Sequence, residues 1–183
     1  VGAALALGGF FFFQVYGGSM EFTPGGVLDI AKITAEKNEE MILTVTFLTL
    51  IGFGAKAGLV PLHAWLPTAH PIAPTPASAV LSGLITKAGI ISMFRVTYYV
   101  VGADFLRGTW VQTAILSIAM FTIFTGSMMA FIEKHLKKRI AWSSVSQVSY
   151  VVFAMMLLNA DGINGAVLQI ASHAMAKGCL FLG

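Results

Sequence analysis

The sequence predicts an all-α protein, a polytopic bundle of transmembrane helices in which one helix is discontinuous. Hydrophobic residues make up 57% of the 183 residues and charged residues only 10%, whereas a soluble domain carries about 25% charged residues. Apolar runs long enough to cross a bilayer, about 20 residues each, follow one another with short connections. Five of the six prolines fall within residues 61–76, where they interrupt a helix.

We expect six spans in a single transmembrane domain, residues 1–183. The first span covers about residues 1–16. The second covers about 41–66 and is broken near 61, because proline in lipid is tolerated only where protein or water satisfies the freed backbone groups. The remaining spans are placed at about 78–101, 109–132, 140–158 and 163–183.

Both ends of the sequence, Val1 and Gly183, lie within apolar runs. We therefore expect an internal fragment of a longer chain. The first run has neither a basic leader nor a clear cleavage site, so it is not predicted to be a secretory signal peptide.

The charges of two loops predict the orientation in the membrane. The segment EKHLKKR, residues 133–139, contains four lysines or arginines, and short loops rich in these residues stay in the cytoplasm. The loop 17–40 is acidic and is expected outside. It contains five carboxylates: Glu21, Asp29, Glu36, Glu39 and Glu40.

Three lysines fall within predicted spans: Lys56, Lys87 and Lys177. The acidic residues all fall in loops or at span ends, and a charged side chain at the bilayer centre costs roughly 2.5 to 3.5 kcal/mol. An amine kept from water without a carboxylate partner favours its neutral form and can accept a proton. We therefore predict a proton relay. The alternatives are a structural lysine bonded to a free carbonyl and, for Lys56, a side chain that reaches the cytoplasmic surface.

Gln169, His173 and Lys177 are spaced by four residues and share one helical face. A histidine there can pass a proton between partners, although a hydrogen-bonded core histidine is the alternative. His63 and His70 lie in the broken connection, where each can bond a freed backbone carbonyl. Cys179 is the only cysteine. We expect no metal site and no cofactor, and the few clustered basic residues do not indicate nucleic-acid binding.

The motif K-x4-P-L-H-x-W-L-P-x-A-H-x-x-A-P-T-x-x-S begins at Lys56, and KKRIAWSSVSQ and SHAMAKGCLFL follow it. In this order the motifs resemble the antiporter-like membrane subunits of respiratory complex I (NADH:quinone oxidoreductase), Mrp-type cation/proton antiporters and membrane-bound hydrogenases. Two departures are visible. Thr68 stands where many relatives have Asp, and Gln169 stands where some have His.

The resemblance implies that Lys56 and Lys87 match the two central lysines of the family, and that His173 and Lys177 match its HxxxK pair. It also makes His63 and His70 possible relay groups on the cytoplasmic side. It also implies a glutamate on an earlier helix and a further ionisable residue on a later one, both outside this chain. The partners implied are other membrane subunits, the lipid bilayer, protons and Na⁺ or K⁺.

The leading hypothesis is a proton-translocating subunit of a bacterial or archaeal inner membrane, driven by redox chemistry or by exchange for Na⁺ or K⁺. No nucleotide loop, haem ligand pair or catalytic triad occurs in the sequence, so no catalytic centre is predicted. One alternative is a scaffold that anchors soluble subunits through loop 133–139. The other is a membrane subunit with a quinone site.

Overall fold

The computed structural model describes residues 1–17, 22 and 24–182, and for Leu182 the backbone alone. Glu21 of the acidic loop and Gly183 of the last predicted span lie outside the described residues. Within the described part the chain is nearly all helical, with no strand, and the expected all-α class is confirmed.

Nine helices are described in chain order. They are α1 Gly2–Tyr16, α2 Ile30–Ala35, α3 Glu39–Ala57, α4 Trp65–Ile72, α5 Thr75–Val101, α6 Ala103–Leu106, α7 Trp110–Ile132, α8 Leu136–Met155 and α9 Ala160–Leu182. Two segments within α5 are π-helical, Leu81–Ile85 and Val96–Val101.

The discontinuity of the second span covers residues 58–64, between α3 and α4, and includes Pro61, near which the sequence predicts the break. Helix α3 ends at Ala57 because Gly58 adopts a φ of 96°, a left-handed conformation that glycine accepts at little cost. The chain then turns into α4, whose Trp65 donates its indole N–H to the Ala55 carbonyl at 2.8 Å. This bond satisfies one of the carbonyls left free at the end of α3.

Three later helices begin before the spans predicted for them. Helix α5 starts at Thr75 rather than 78, α8 at Leu136 rather than 140, and α9 at Ala160 rather than 163. The predicted bounds follow the apolar residues, whereas a helix can continue into polar sequence beyond them. Helix α8 also ends at Met155 rather than 158.

Among the helices described, three are long and apolar enough to cross a membrane by length and composition: α3, α5 and α7. Helix α1 is apolar but has 15 residues. Helices α8 and α9 contain 20 and 23 residues, about 30 and 35 Å at 1.5 Å per residue, but they carry more polar side chains. The count of six spans stays a prediction.

Helix α8 occupies the centre of the bundle, where it packs against α4, α7 and α9. Helix α1 packs on α3, and α3 packs on the middle of α5. The contact between α3 and α5 is close at Gly89, where a Cβ would lie 2.8 Å from the Ala57 nitrogen. The first half of α5 packs on α9, so helices remote in sequence bring Lys87 and Lys177 together.

Candidate functional site

Lys87 is a buried lysine in the middle of α5. Its side chain is 5% exposed, and its Nζ donates to the carbonyl of Ser82, which lies in the π-helical segment before it. The Thr86 hydroxyl donates to the same carbonyl at 3.1 Å. The amine therefore has an acceptor within its own helix, and that acceptor is neutral.

Lys177 is buried in the same way on α9, where it is 4% exposed. Its Nζ donates to the Ile140 carbonyl at 3.0 Å and to the Ser143 hydroxyl at 2.8 Å. Both acceptors belong to α8. The second lysine is thus fixed between helices rather than within one.

Serine hydroxyls connect the surroundings of the two lysines. The Ser82 and Ser144 hydroxyl oxygens lie 2.9 Å apart, and both residues are fully buried. Ser144 directly follows Ser143, which accepts from Lys177. The lysines are near enough for the charge of Lys177 to act on Lys87. Among the described residues the one ion pair lies elsewhere, between Arg107 and Asp104.

His173 lies one turn before Lys177 and is 5% exposed. The charges of both Lys87 and Lys177 act on it. Neither ring nitrogen has a hydrogen-bond partner among the described residues, which is uncommon for a buried polar group.

A groove of about 310 Å³ opens beside this histidine. Its lining includes His173, Lys177, Ser143 and the pair Gln147 and Gln169. Gln169 donates its amide N–H to the Gln147 side-chain oxygen. The residues spaced by four on α9 therefore line one groove together with polar side chains of α8.

Lys56 differs from the other two lysines, because its side chain is exposed. It lies in the last turn of α3 and has no hydrogen bond or ion pair with any described residue. The sequence predicts a relay lysine at this position. The structure does not bring Lys56 into the cluster of Lys87, His173 and Lys177.

Two histidines of the broken connection pack against aromatic rings. His63 is half-buried with its ring centroid 5.2 Å from that of Trp142. His70 is fully buried and stacks on Phe181 at 4.8 Å with the rings 9° from parallel. His63 Nδ1 and both ring nitrogens of His70 lack a hydrogen-bond partner among the described residues.

The sequence did not single out Ser82, and it did not show that Ser143 pairs with Lys177. The signal available was the run of hydroxyl residues at the start of the fifth predicted span, from Ser143 to Tyr150. That run does not tell which hydroxyl faces which helix, so the connection becomes visible only in the packed bundle.

The family model described as NADH:quinone oxidoreductase/Mrp antiporter, TM, matches residues 2–183. The chain belongs to this family. It is an integral membrane protein, and the resemblance carried by the motifs that begin at Lys56 is confirmed.

Individual relatives extend the match to different complexes. Hydrogenase-4 component B of Escherichia coli (strain K12) is 36% identical over 174 residues, which cover 86% of this chain and 25% of that protein. NADH-quinone oxidoreductase subunit N of Desulforudis audaxviator (strain MP104C) is 36% identical over 141 residues, 77% of this chain and 28% of that protein.

The fold matches a chain in the structure of the Mrp complex from Dietzia sp. DQ12-45-1b with a TM-score of 0.81 and 25% identity. The match covers 99% of this chain and 32% of that one. This chain therefore spans about a quarter to a third of the length of the proteins that it matches.

Proposed function

We propose that this chain moves protons through the membrane as part of a multi-subunit complex, with Lys87, His173 and Lys177 accepting and releasing them. The observation that carries this proposal is the serine connection. Lys87 donates to the backbone carbonyl of Ser82, and the hydroxyl of the same residue bonds to that of Ser144. The Ser144 hydroxyl and the Lys177 amine both donate to the Ile140 carbonyl.

The chemistry of these groups suits proton transfer. Lysine changes by one charge when it takes up a proton, and a serine hydroxyl donates and accepts at once, so it can pass a proton between neighbours. Neutral carbonyl and hydroxyl oxygens accept from a charged ammonium without fixing it in that state, as a carboxylate would. His173 offers a third titratable group one turn from Lys177.

Lys56 is proposed as a further relay lysine whose partner comes from a part of the protein beyond this chain. His63 would serve as a relay group at the cytoplasmic side. In this orientation loop 133–139 is cytoplasmic and loop 17–40 is outside. The ions moved are protons, exchanged for Na⁺ or K⁺ or driven by a redox partner, in the inner membrane of a bacterium or archaeon.

The test is proton uptake by proteoliposomes that contain the intact complex. Lys87→Met keeps the length of the side chain but removes the titratable amine, and we expect uptake to fall roughly 100-fold, the scale of a lost proton-transfer group. Lys134→Met is the control, because Lys134 is exposed. Lys137 is less suitable, since it is half-buried and donates to the Ala73 carbonyl at 3.4 Å.

Normal uptake by Lys87→Met in an assembled complex would contradict the proposal. It would favour the scaffold function, in which the lysines only bond to carbonyl oxygens.

A further inference from the structure

Arg95 is a cation on the surface of α5 that the proposed proton pathway does not use. Its side chain is exposed, and its guanidinium lies over the ring of Phe22, 5.6 Å from the centroid. It has no hydrogen bond or ion pair with any described residue. A charged side chain on a membrane helix is stabilised by a nearby anion.

Two adjoining grooves meet at Arg95 and Phe22. The larger has a volume of about 380 Å³ and is also lined by Ile91, Phe94 and Tyr99. The smaller, of about 220 Å³, is lined in addition by rings from two other helices, Phe10 and Phe53. Among the residues that the structure describes, no acidic side chain lines either groove. The surface therefore combines one positive charge with an apolar, largely aromatic channel.

The polar groups of the larger groove are hydrogen-bond donors suited to a phosphate. Arg95 and Tyr99 are four residues apart and lie on one face of α5. The N–H groups of a guanidinium lie in its plane and match phosphate oxygens in pairs. The guanidinium has no hydrogen bond to a described residue that would occupy its N–H groups, and the Tyr99 hydroxyl adds a further donor.

Arg95 lies near the end of α5, so the charged part of the groove is close to the membrane interface and its apolar part lies deeper. Arg95 lies six residues before Val101, the end of the helix, about 9 Å at 1.5 Å per residue. A long arginine side chain at this depth can extend to the membrane interface. Ile91 lies one turn further from that end. The groove is therefore polar near the interface and apolar towards the membrane interior, as an amphiphile requires.

We propose that this groove binds one anionic phospholipid, whose phosphate accepts hydrogen bonds from Arg95 and Tyr99 and whose acyl chain lies along Ile91 and the aromatic rings. The lipid would cover the face of α5 next to α1. This site is separate from the lysine cluster, so the test of lipid binding is independent of the test of proton transport.

The experiment uses the full-length protein in its complex, reconstituted with photoactivatable phosphatidylglycerol, and maps cross-links by mass spectrometry. We expect cross-links on residues 91–99 of the wild type. Arg95→Gln should reduce their yield about tenfold, the loss of one charge-assisted pair of hydrogen bonds, and Tyr99→Phe should reduce it less. Photoactivatable phosphatidylcholine should label the groove more weakly.

The controls separate binding from folding. Arg107→Gln changes an exposed arginine that pairs with Asp104, and it should leave the cross-links unchanged. Arg95→Lys retains the charge but loses the paired geometry, and we expect an intermediate yield in a complex that assembles normally.

Several results would overturn the lipid site. Equal labelling in the wild type and Arg95→Gln would show that the charge is not used. Loss of labelling in excess inorganic phosphate would indicate a site for free anions. Absence of labelling in the wild type would show that protein covers the groove. If labelling then appeared in Glu21→Gln, the counterion of Arg95 would be the carboxylate that precedes Phe22 in the sequence.

Discussion

Lys56 and Lys87 belong to helices that touch, yet their amines have opposite environments. The contact at Gly89 brings the last turn of α3 against α5, two residues from Lys87. Lys87 is buried and bonded to a carbonyl within its own helix, whereas Lys56 is exposed and without a partner among the described residues. The sequence of an apolar helix therefore does not determine the environment of a lysine within it. The neighbouring helices decide whether it is buried and what it donates to.

The largest effect is expected from breaking the contact that joins these two regions. In Gly89→Val the new Cβ would meet backbone atoms of α3, at 2.8 Å from the Ala57 nitrogen and 3.0 Å from the Phe53 carbonyl oxygen. We expect a loss of about 3 kcal/mol, the upper part of the range for overpacking, measured by thermal unfolding in detergent. Gly8→Val is the matched control, since a Cβ there meets no atom within 4 Å.

A lysine-to-arginine exchange tests the difference in burial directly. Lys177→Arg places a larger group where the side chain is 4% exposed, and we expect a loss of about 2 kcal/mol in stability. Lys56→Arg should stay within about 0.5 kcal/mol of the wild type, as for other surface changes. Equal destabilisation of both variants in the full-length protein would show that Lys56 is buried there by segments beyond this chain.

A smaller effect within the lysine cluster is expected from Ser143→Ala, which removes one of the two acceptors of Lys177. The Ile140 carbonyl remains as an acceptor, so we expect a stability loss of only about 1 kcal/mol. Proton uptake by the reconstituted complex should fall by up to roughly fivefold, the factor that corresponds to about 1 kcal/mol if the lost contact raises the barrier to proton transfer by that amount.

Ser117→Ala is the control for this change, because Ser117 is exposed and bonds within its own helix. Unchanged uptake in Ser143→Ala would argue that protons reach Lys177 by a route that avoids this hydroxyl.

The sequence was sufficient for the class of fold and for the existence of the helices, because apolar runs and clustered prolines leave few alternatives in a membrane. It also indicated the region of the break in the second span, although Gly58 ends α3 before the first proline of that region is reached. Proline indicates where a helix cannot continue undisturbed, but a glycine that adopts positive φ can end it earlier.

The candidate site was predictable only in part. The scarcity of acidic residues in the spans singled out the lysines, and the spacing of four placed His173 and Lys177 on one face. The bond between Ser82 and Ser144 joins residues 62 positions apart, and the exposure of Lys56 depends on which helices surround α3. Both follow from packing, which local patterns do not encode.

The π-helical segment Leu81–Ile85 has a consequence for how the length of this chain can vary. Such a segment contains one residue more than an α-helix would need. Loss of one residue there would convert the wide turn into a regular α-helical one, and the helix on either side would keep nearly the same orientation. The change would be taken up at the turn that contains Ser82, whose carbonyl accepts from Lys87. A single-residue deletion should therefore disturb the packing of α5 less at this segment than in its α-helical part, where each residue lost rotates the helix beyond it by about 100°.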